Sequence, residues 1–147
     1  MSIPNYPVAP HFTYKELACR CCGSYTADPR LLLCLEWLRH EISLMRNADT
    51  PIIITSGYRC PQHNAAVGGS KSSLHMLGLA ADFVKPAGID WRPLYDRLSS
   101  LPLVGGLGLY PRRNFIHVDV RTKNPNGSSV TWSVLQNGFE PVEAAWS

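Results

Sequence analysis

The chain has 147 residues, 45% of them hydrophobic and 17% charged, which is enough for one domain with a real core and too little for two. That balance excludes a disordered chain or a scaffold held only by disulfides, and no apolar run reaches the roughly 20 residues that span a bilayer. A formal net charge of +3, with Arg112-Arg113 as the only adjacent Arg/Lys pair, argues against a nucleic-acid partner.

Residues 1–11 read as an irregular, Pro-rich lead-in. Met1 to Pro7 has neither a basic start nor an apolar core, so no secretory signal is readable and synthesis in the cytoplasm is expected. Thr13 to Ala18 is predicted as a short helix anchored by Phe12 and Leu17. The next helix is better marked: Asp28 caps it, Pro29 suits its first turn, and Leu31, Leu35, Leu38, Ile42 and Met45 recur at helical spacing up to Asn47. Pro51-Ile52-Ile53-Ile54-Thr55 reads as a short buried strand. Pro61 to Val67 is predicted helical, and residues 68–73 form a Gly/Ser loop.

The second half alternates in the same way. Strands are expected at Leu79–Val84, Leu107–Tyr110 and Phe115–Arg121, with a helix at Trp91–Leu101. In the last of these strands Ile116, Val118 and Val120 face one way, and His117, Asp119 and Arg121 the other. Asn124-Pro125-Asn126-Gly127 is a turn, and Val130–Val134 is expected to return as a hairpin partner. The fold class is therefore α+β: a single domain over residues 12–147, with helices packed on a largely antiparallel sheet.

Five cysteines without a readable secretory signal point to reduced thiols. Cys19, Cys21 and Cys22 cluster, and the run is not read as the Cys-x-x-Cys of ordinary zinc knuckles. Buried, reduced thiols are expected there, with a structural zinc built from the cluster and Cys60 as the alternative. Nothing marks any of the five as an activated nucleophile.

The chemistry concentrates in Ser73-Leu74-His75-Met76-Leu77-Gly78-Leu79-Ala80-Ala81-Asp82 and in Phe115-Ile116-His117-Val118-Asp119-Val120. His75 and Asp82, separated by small and apolar residues, can converge on one ion, and His117 on an adjacent strand completes a two-histidine, one-carboxylate set. Such a set leaves one zinc position open for water. Taken singly, each residue has a plainer role, as a loop histidine, a capping carboxylate or a satisfied core imidazole. Together they point to one Zn2+.

Ser73-x-His75-x-x-Gly78-x-Ala80-x-Asp82 resembles the signature of the zinc D-alanyl-D-alanine carboxypeptidases. Their relatives include phage L-alanyl-D-glutamate endopeptidases and the peptidase-like fold of hedgehog signalling domains. Ile54-Thr55-Ser56-Gly57-Tyr58-Arg59, His63-Asn64, Val67-Gly68-Gly69, Gly106-x-Gly108-x-Tyr110 and Phe115 to Arg121 fall in the family's order. Phe12-x-x-x-Glu16-Leu17-x-Cys19-x-Cys21-Cys22-Gly23 is similar to its N-terminal segment. The resemblance covers roughly residues 12–133.

By position, the resemblance implies that His75, Asp82 and His117 bind zinc and that Arg59 faces the substrate and stabilises the oxyanion. Ser73 fits a role in orienting a ligand and binding substrate. The implied substrates are peptidoglycan stem peptides, cut at D-Ala-D-Ala or L-Ala-D-Glu. The implied setting is a monomer acting at the cell wall, as an endolysin or a virion-borne hydrolase would, without membrane insertion. One departure stands out. Many relatives place Glu or Asp three residues before the last ligand as general base, and here that residue is Asn114; others use a histidine two residues before it, and here Phe115 stands there. Asp119 is the nearest remaining carboxylate and is taken as the candidate base, with His63 as the weaker alternative. A non-catalytic, zinc-stabilised module that binds cell-wall peptide is the second reading.

Overall fold

The computed structural model describes residues 5–135 and 138–146. A five-stranded sheet, with helices on one face, organises it. The lead-in is more regular than expected: β1 (Pro7–Ala9) pairs antiparallel with β2 (Phe12–Thr13). Phe12 is 1% exposed and pins this hairpin to the core, while His11 hands both its backbone N–H and its ring nitrogen to Glu36. The short helix α1 (Tyr14–Leu17) starts on Thr13, which forms a capping box with Glu16.

The long helix α2 (Pro29–Arg46) begins on the Asp28 side chain, which accepts from the Arg30 N–H, and ends on Asn47 in the left-handed region at φ 53°. Its buried stripe is Leu31, Cys34, Leu35, Leu38 and Ile42. The strand expected at residues 51–55 shifts: β3 is Ile54–Ser56, and Ile53 is 62% exposed. The β-branched run overstated burial, because β3 is an edge strand and only Ile52 and Ile54 face the core.

After α3 (Pro61–Ala66) come β4 (Ala80–Val84), α4 (Trp91–Ser99), β5 (Gly106–Tyr110), β6 (Phe115–Asp119) and β7 (Val130–Ser133). The sheet order is β3-β4-β6-β5-β7. The expected hairpin between the Phe115 and Val130 strands does not form. Residues 124–128 do turn, with Gly127 N–H donating to the Asn124 carbonyl at 2.8 Å, but β7 then pairs with β5, and in parallel. The side of β6 where β7 would have docked is already taken by β5, so β7 adds at the outer edge. All other strand pairs are antiparallel.

The two faces of the sheet divide the labour. Ala81, Phe83, Leu107, Leu109, Ile116 and Val118 pack with Leu35, Leu38, Ile42, Leu94 and Leu98 into one apolar core. The opposite face carries Asp82 on β4 and, directly across in register, His117 on β6. Period-2 alternation on two neighbouring strands thus buries one face and builds a site on the other. Among the described residues, no helix is long and apolar enough to cross a membrane.

Candidate metal centre and groove

His75 arrives from a 3-10 turn, Leu74–Leu77, rather than from an open loop. The Ser73 hydroxyl accepts from the His75 N–H at 3.3 Å and starts the turn. Gly78, at φ 70°, ends it, and a Cβ there would stand 2.6 Å from the Thr26 carbonyl oxygen. The chain then enters β4 and delivers Asp82 beside His75.

The hydrogen bonds decide which atoms are free. A carbonyl only accepts, so His75 donates from Nδ1 to the Gly57 carbonyl at 2.7 Å and its Nε2 keeps a lone pair in the neutral ring. His117 has a carboxylate at each ring nitrogen, Asp119 Oδ2 at 2.8 Å from Nε2 and Asp82 Oδ1 at 2.9 Å from Nδ1; with its Nε2–H given to Asp119, the neutral ring offers Nδ1 as a ligand. His75 Nε2 lies 3.2 Å from the same Asp82 Oδ1. These three atoms, all within 4.8 Å of one another, can serve one ion as ligands. A proton on either nitrogen bridges to Asp82; a cation that takes its place finds ligands, each imidazole already oriented by its other nitrogen.

The same contacts set the charges of the site. Burial pushes the Asp82 carboxyl up, but His117 and His75 outweigh it and hold it well below the usual carboxylate range. Burial opposes charge on His117, yet Asp119 and Asp82 raise its pKa. Arg59 pairs with Asp82 and Arg121 with Asp119, so each carboxylate also has a cationic partner. The donor set fits zinc in type and number.

Arg59 closes the other side. It donates from Nη2 to Asp82 Oδ2 at 3.3 Å, from Nε to Ser56 Oγ at 3.1 Å and from Nη1 to Asn64 Oδ1 at 3.3 Å. Its side chain is 15% exposed and lines an open groove of about 1160 Å³. The groove brings together Arg59, His63, Ser73, His75, Asp82 and His117, with Asn114 at its edge. Asp119 is not among its lining residues. That carboxylate is 0% exposed and accepts from His117 on one oxygen, from Arg121 Nε at 2.8 Å on the other, and from Arg121 Nη2 at 2.8 Å. Asp82 is the one carboxylate among the described residues lining the groove.

Glycines on β5 make room for these groups. A Cβ on Gly106 would run into the Asp119 carboxylate, and one on Gly108 would stand 2.5 Å from the Trp132 indole. Gly106→Ala is expected to cost about 1–3 kcal/mol, as overpacking does, read as a lower urea midpoint with unchanged slope.

Several residues in and behind the groove carried no role in the sequence. Asn64 is 3% exposed and bridges Arg59 to the Ser70 carbonyl. Tyr110 accepts at its hydroxyl from Trp132 Nε1 at 3.2 Å, and the Trp132 ring lies 5.3 Å from that of His117. His63-Asn64 and the Gly-x-Gly-x-Tyr run held the signal for two of these. Trp132 had none, because its place depends on the parallel pairing of β7. The cysteine expectation needs correcting as well: of the Cys19–Cys22 run only Cys19 is buried, while Cys21 and Cys22 are exposed.

A family model described as Peptidase M15 matches residues 10–119. A probable peptidoglycan L,D-endopeptidase, MepK, from Haemophilus influenzae is 42% identical over 99 residues, which cover 63% of this chain and 50% of that protein. The chain thus spans half the length of this curated relative. With three quarters of its residues inside the family match, and the His-Asp-His centre within that span, the chain belongs to the peptidase M15 family.

Proposed function

We propose that this chain is a zinc-dependent peptidase that hydrolyses amide bonds in peptidoglycan stem peptides at the cell wall. One observation carries the reading: His75 Nε2 and His117 Nδ1 lie 3.2 and 2.9 Å from Asp82 Oδ1, beside a groove lined by Arg59. The groove exceeds the roughly 300–1,000 Å³ of small-molecule clefts, which suits an extended peptide. Similarity to a protein named as a probable L,D-endopeptidase supports the endopeptidase type over the D-Ala-D-Ala carboxypeptidase type.

Zinc held by His75, Asp82 and His117 would supply a Lewis acid and lower the pKa of water toward about 7. The chain's own groups do the rest. Arg59 keeps one N–H on each terminal nitrogen beyond those given to Asn64 and Asp82, enough to receive a carbonyl oxygen as it gains charge. Tyr110 and Trp132 offer apolar surface to the peptide. His63 is the imidazole of the groove outside the metal set, and we assign it the proton transfer. His63→Ala is expected to lower kcat by about 10²–10⁴-fold while zinc content stays at the wild-type level.

The scarcity of carboxylates in the groove favours a second reading, a module that binds cell-wall peptide without cutting it. Digestion of purified peptidoglycan with and without a chelator separates the two. Cleavage that stops on chelation and returns with zinc supports the enzyme, and product masses identify the bond. Cleavage by metal-free protein would overturn the proposal, and intact muropeptides from zinc-loaded protein would favour the binding module.

A further inference from the structure

Away from the groove, the sulfur atoms of Cys19, Cys22 and Cys60 lie within 4.8 Å of one another. They come from two segments 41 residues apart, so the fold has gathered them. Cys19 and Cys22 are in fact spaced Cys-x-x-Cys, a pair hidden in the sequence by the intervening Cys21. The run turns as a metal knuckle does. Cys19 N–H donates to the Ser24 carbonyl at 2.8 Å, Gly23 N–H donates to the Cys19 carbonyl at 2.9 Å, and Gly23 follows Cys22 at φ 75°.

Backbone N–H groups are turned on two of the three sulfurs. Cys60 N–H points to Cys19 Sγ at 3.4 Å, and His63 N–H to Cys60 Sγ at 3.4 Å. A tetrahedral zinc with bonds of about 2.3 Å sets its sulfurs ~3.8 Å apart, so a small inward closure would complete the set.

We propose that Cys19, Cys22 and Cys60 form a second, structural site for a thiophilic divalent cation, Zn2+, separate from the His75-Asp82-His117 centre. Three thiolates select zinc over the hard cations. Cys22 is exposed, so the fourth position opens toward solvent. The site fastens the N-terminal segment to the strip that carries the catalytic arginine, for Cys60 follows Arg59 directly. Tyr58 N–H already donates to the Leu17 carbonyl at 2.8 Å, and Gly57 packs so tightly on Leu17 that a Cβ would stand 2.5 Å from its carbonyl oxygen. That strip also presents the Gly57 carbonyl that orients His75.

The test separates the two sites in the full chain. Zinc is counted per chain in wild type, His117→Ala and Cys22→Ser, all purified under reducing conditions. Cobalt is then loaded into His117→Ala, with and without the Cys22→Ser change. His117→Ala is expected to keep one zinc and, with Co2+, to give the intense near-ultraviolet sulfur-to-cobalt charge-transfer band. Adding Cys22→Ser should remove both, and Cys22→Ser alone should lose one zinc relative to wild type. Because Cys22 is exposed, its serine variant tests the site without emptying the core, and circular dichroism checks the fold. A His117→Ala protein with no zinc and no band would overturn the proposal. So would zinc unchanged in Cys22→Ser, or a mass two hydrogens low that marks a disulfide within the trio.

Discussion

Asp82→Asn should abolish peptide hydrolysis and remove most of the stabilisation that zinc gives through the His75-Asp82-His117 centre. Asp82 is where the site converges: Oδ1 faces both ligand nitrogens and Oδ2 accepts from Arg59. The amide keeps the shape and one acceptor but loses the charge that balances a dication. Wild type held at 100-fold excess over its zinc Kd gains about 2.7 kcal/mol, which for a domain of this size is a Tm rise of about 5–10 °C. Asp82→Asn should lose most of that rise. Asp82→Ala goes further, leaving the part-buried Arg59 guanidinium with Ser56 and Asn64 but without its carboxylate, a loss of about 1–3 kcal/mol. Differential scanning fluorimetry against zinc concentration reads both. A full zinc-dependent shift in Asp82→Asn would show that the cation binds elsewhere. To keep the thiolate site from contributing, the same series belongs in the Cys22→Ser background.

How far the sequence discloses this molecule depends on how local each signal is. The His75–Asp82 spacing and the alternation through His117 are local, and the fold places all three together because β4 and β6 pair with Asp82 opposite His117. The start and stop of α2 were likewise written in Asp28, Pro29 and Asn47. Parallel pairing of β7 with β5 was not legible, since a turn followed by a β-branched run looks the same whichever strand receives it. Trp132 was lost with it. The burial of Asp119 was hidden for a related reason: period-2 alternation says which face a residue takes, not whether a neighbouring arginine covers it. The thiolate trio was obscured by Cys21, which breaks the look of a Cys-x-x-Cys pair without altering its geometry.

Asp119→Ala decides between two roles for the carboxylate that sequence reasoning favoured as general base. In the structure it is fully buried, and burial raises its pKa less than the hydrogen bonds from His117 and Arg121 lower it, so it sits well below the usual carboxylate range. A group so reluctant to take a proton is a poor base near neutral pH, and its oxygens are already engaged by His117 and Arg121. We assign it the positioning of His117, whose Nε2–H it accepts at 2.8 Å. On that assignment Asp119→Ala weakens zinc binding by about 10–100-fold, and saturating zinc restores much of kcat. A general base predicts the reverse: zinc affinity near wild type, with kcat down by about 10²–10⁴-fold at every zinc concentration. Competition with a chromophoric chelator gives the affinity, and turnover on muropeptides at saturating zinc gives the rate. Asp119→Asn refines the outcome, because an amide oxygen can still accept from His117 while being unable to take a proton. Zinc binding rescued in the amide variant, with turnover rescued alongside it, identifies a residue that acts by holding the imidazole; binding rescued without turnover returns the base to Asp119.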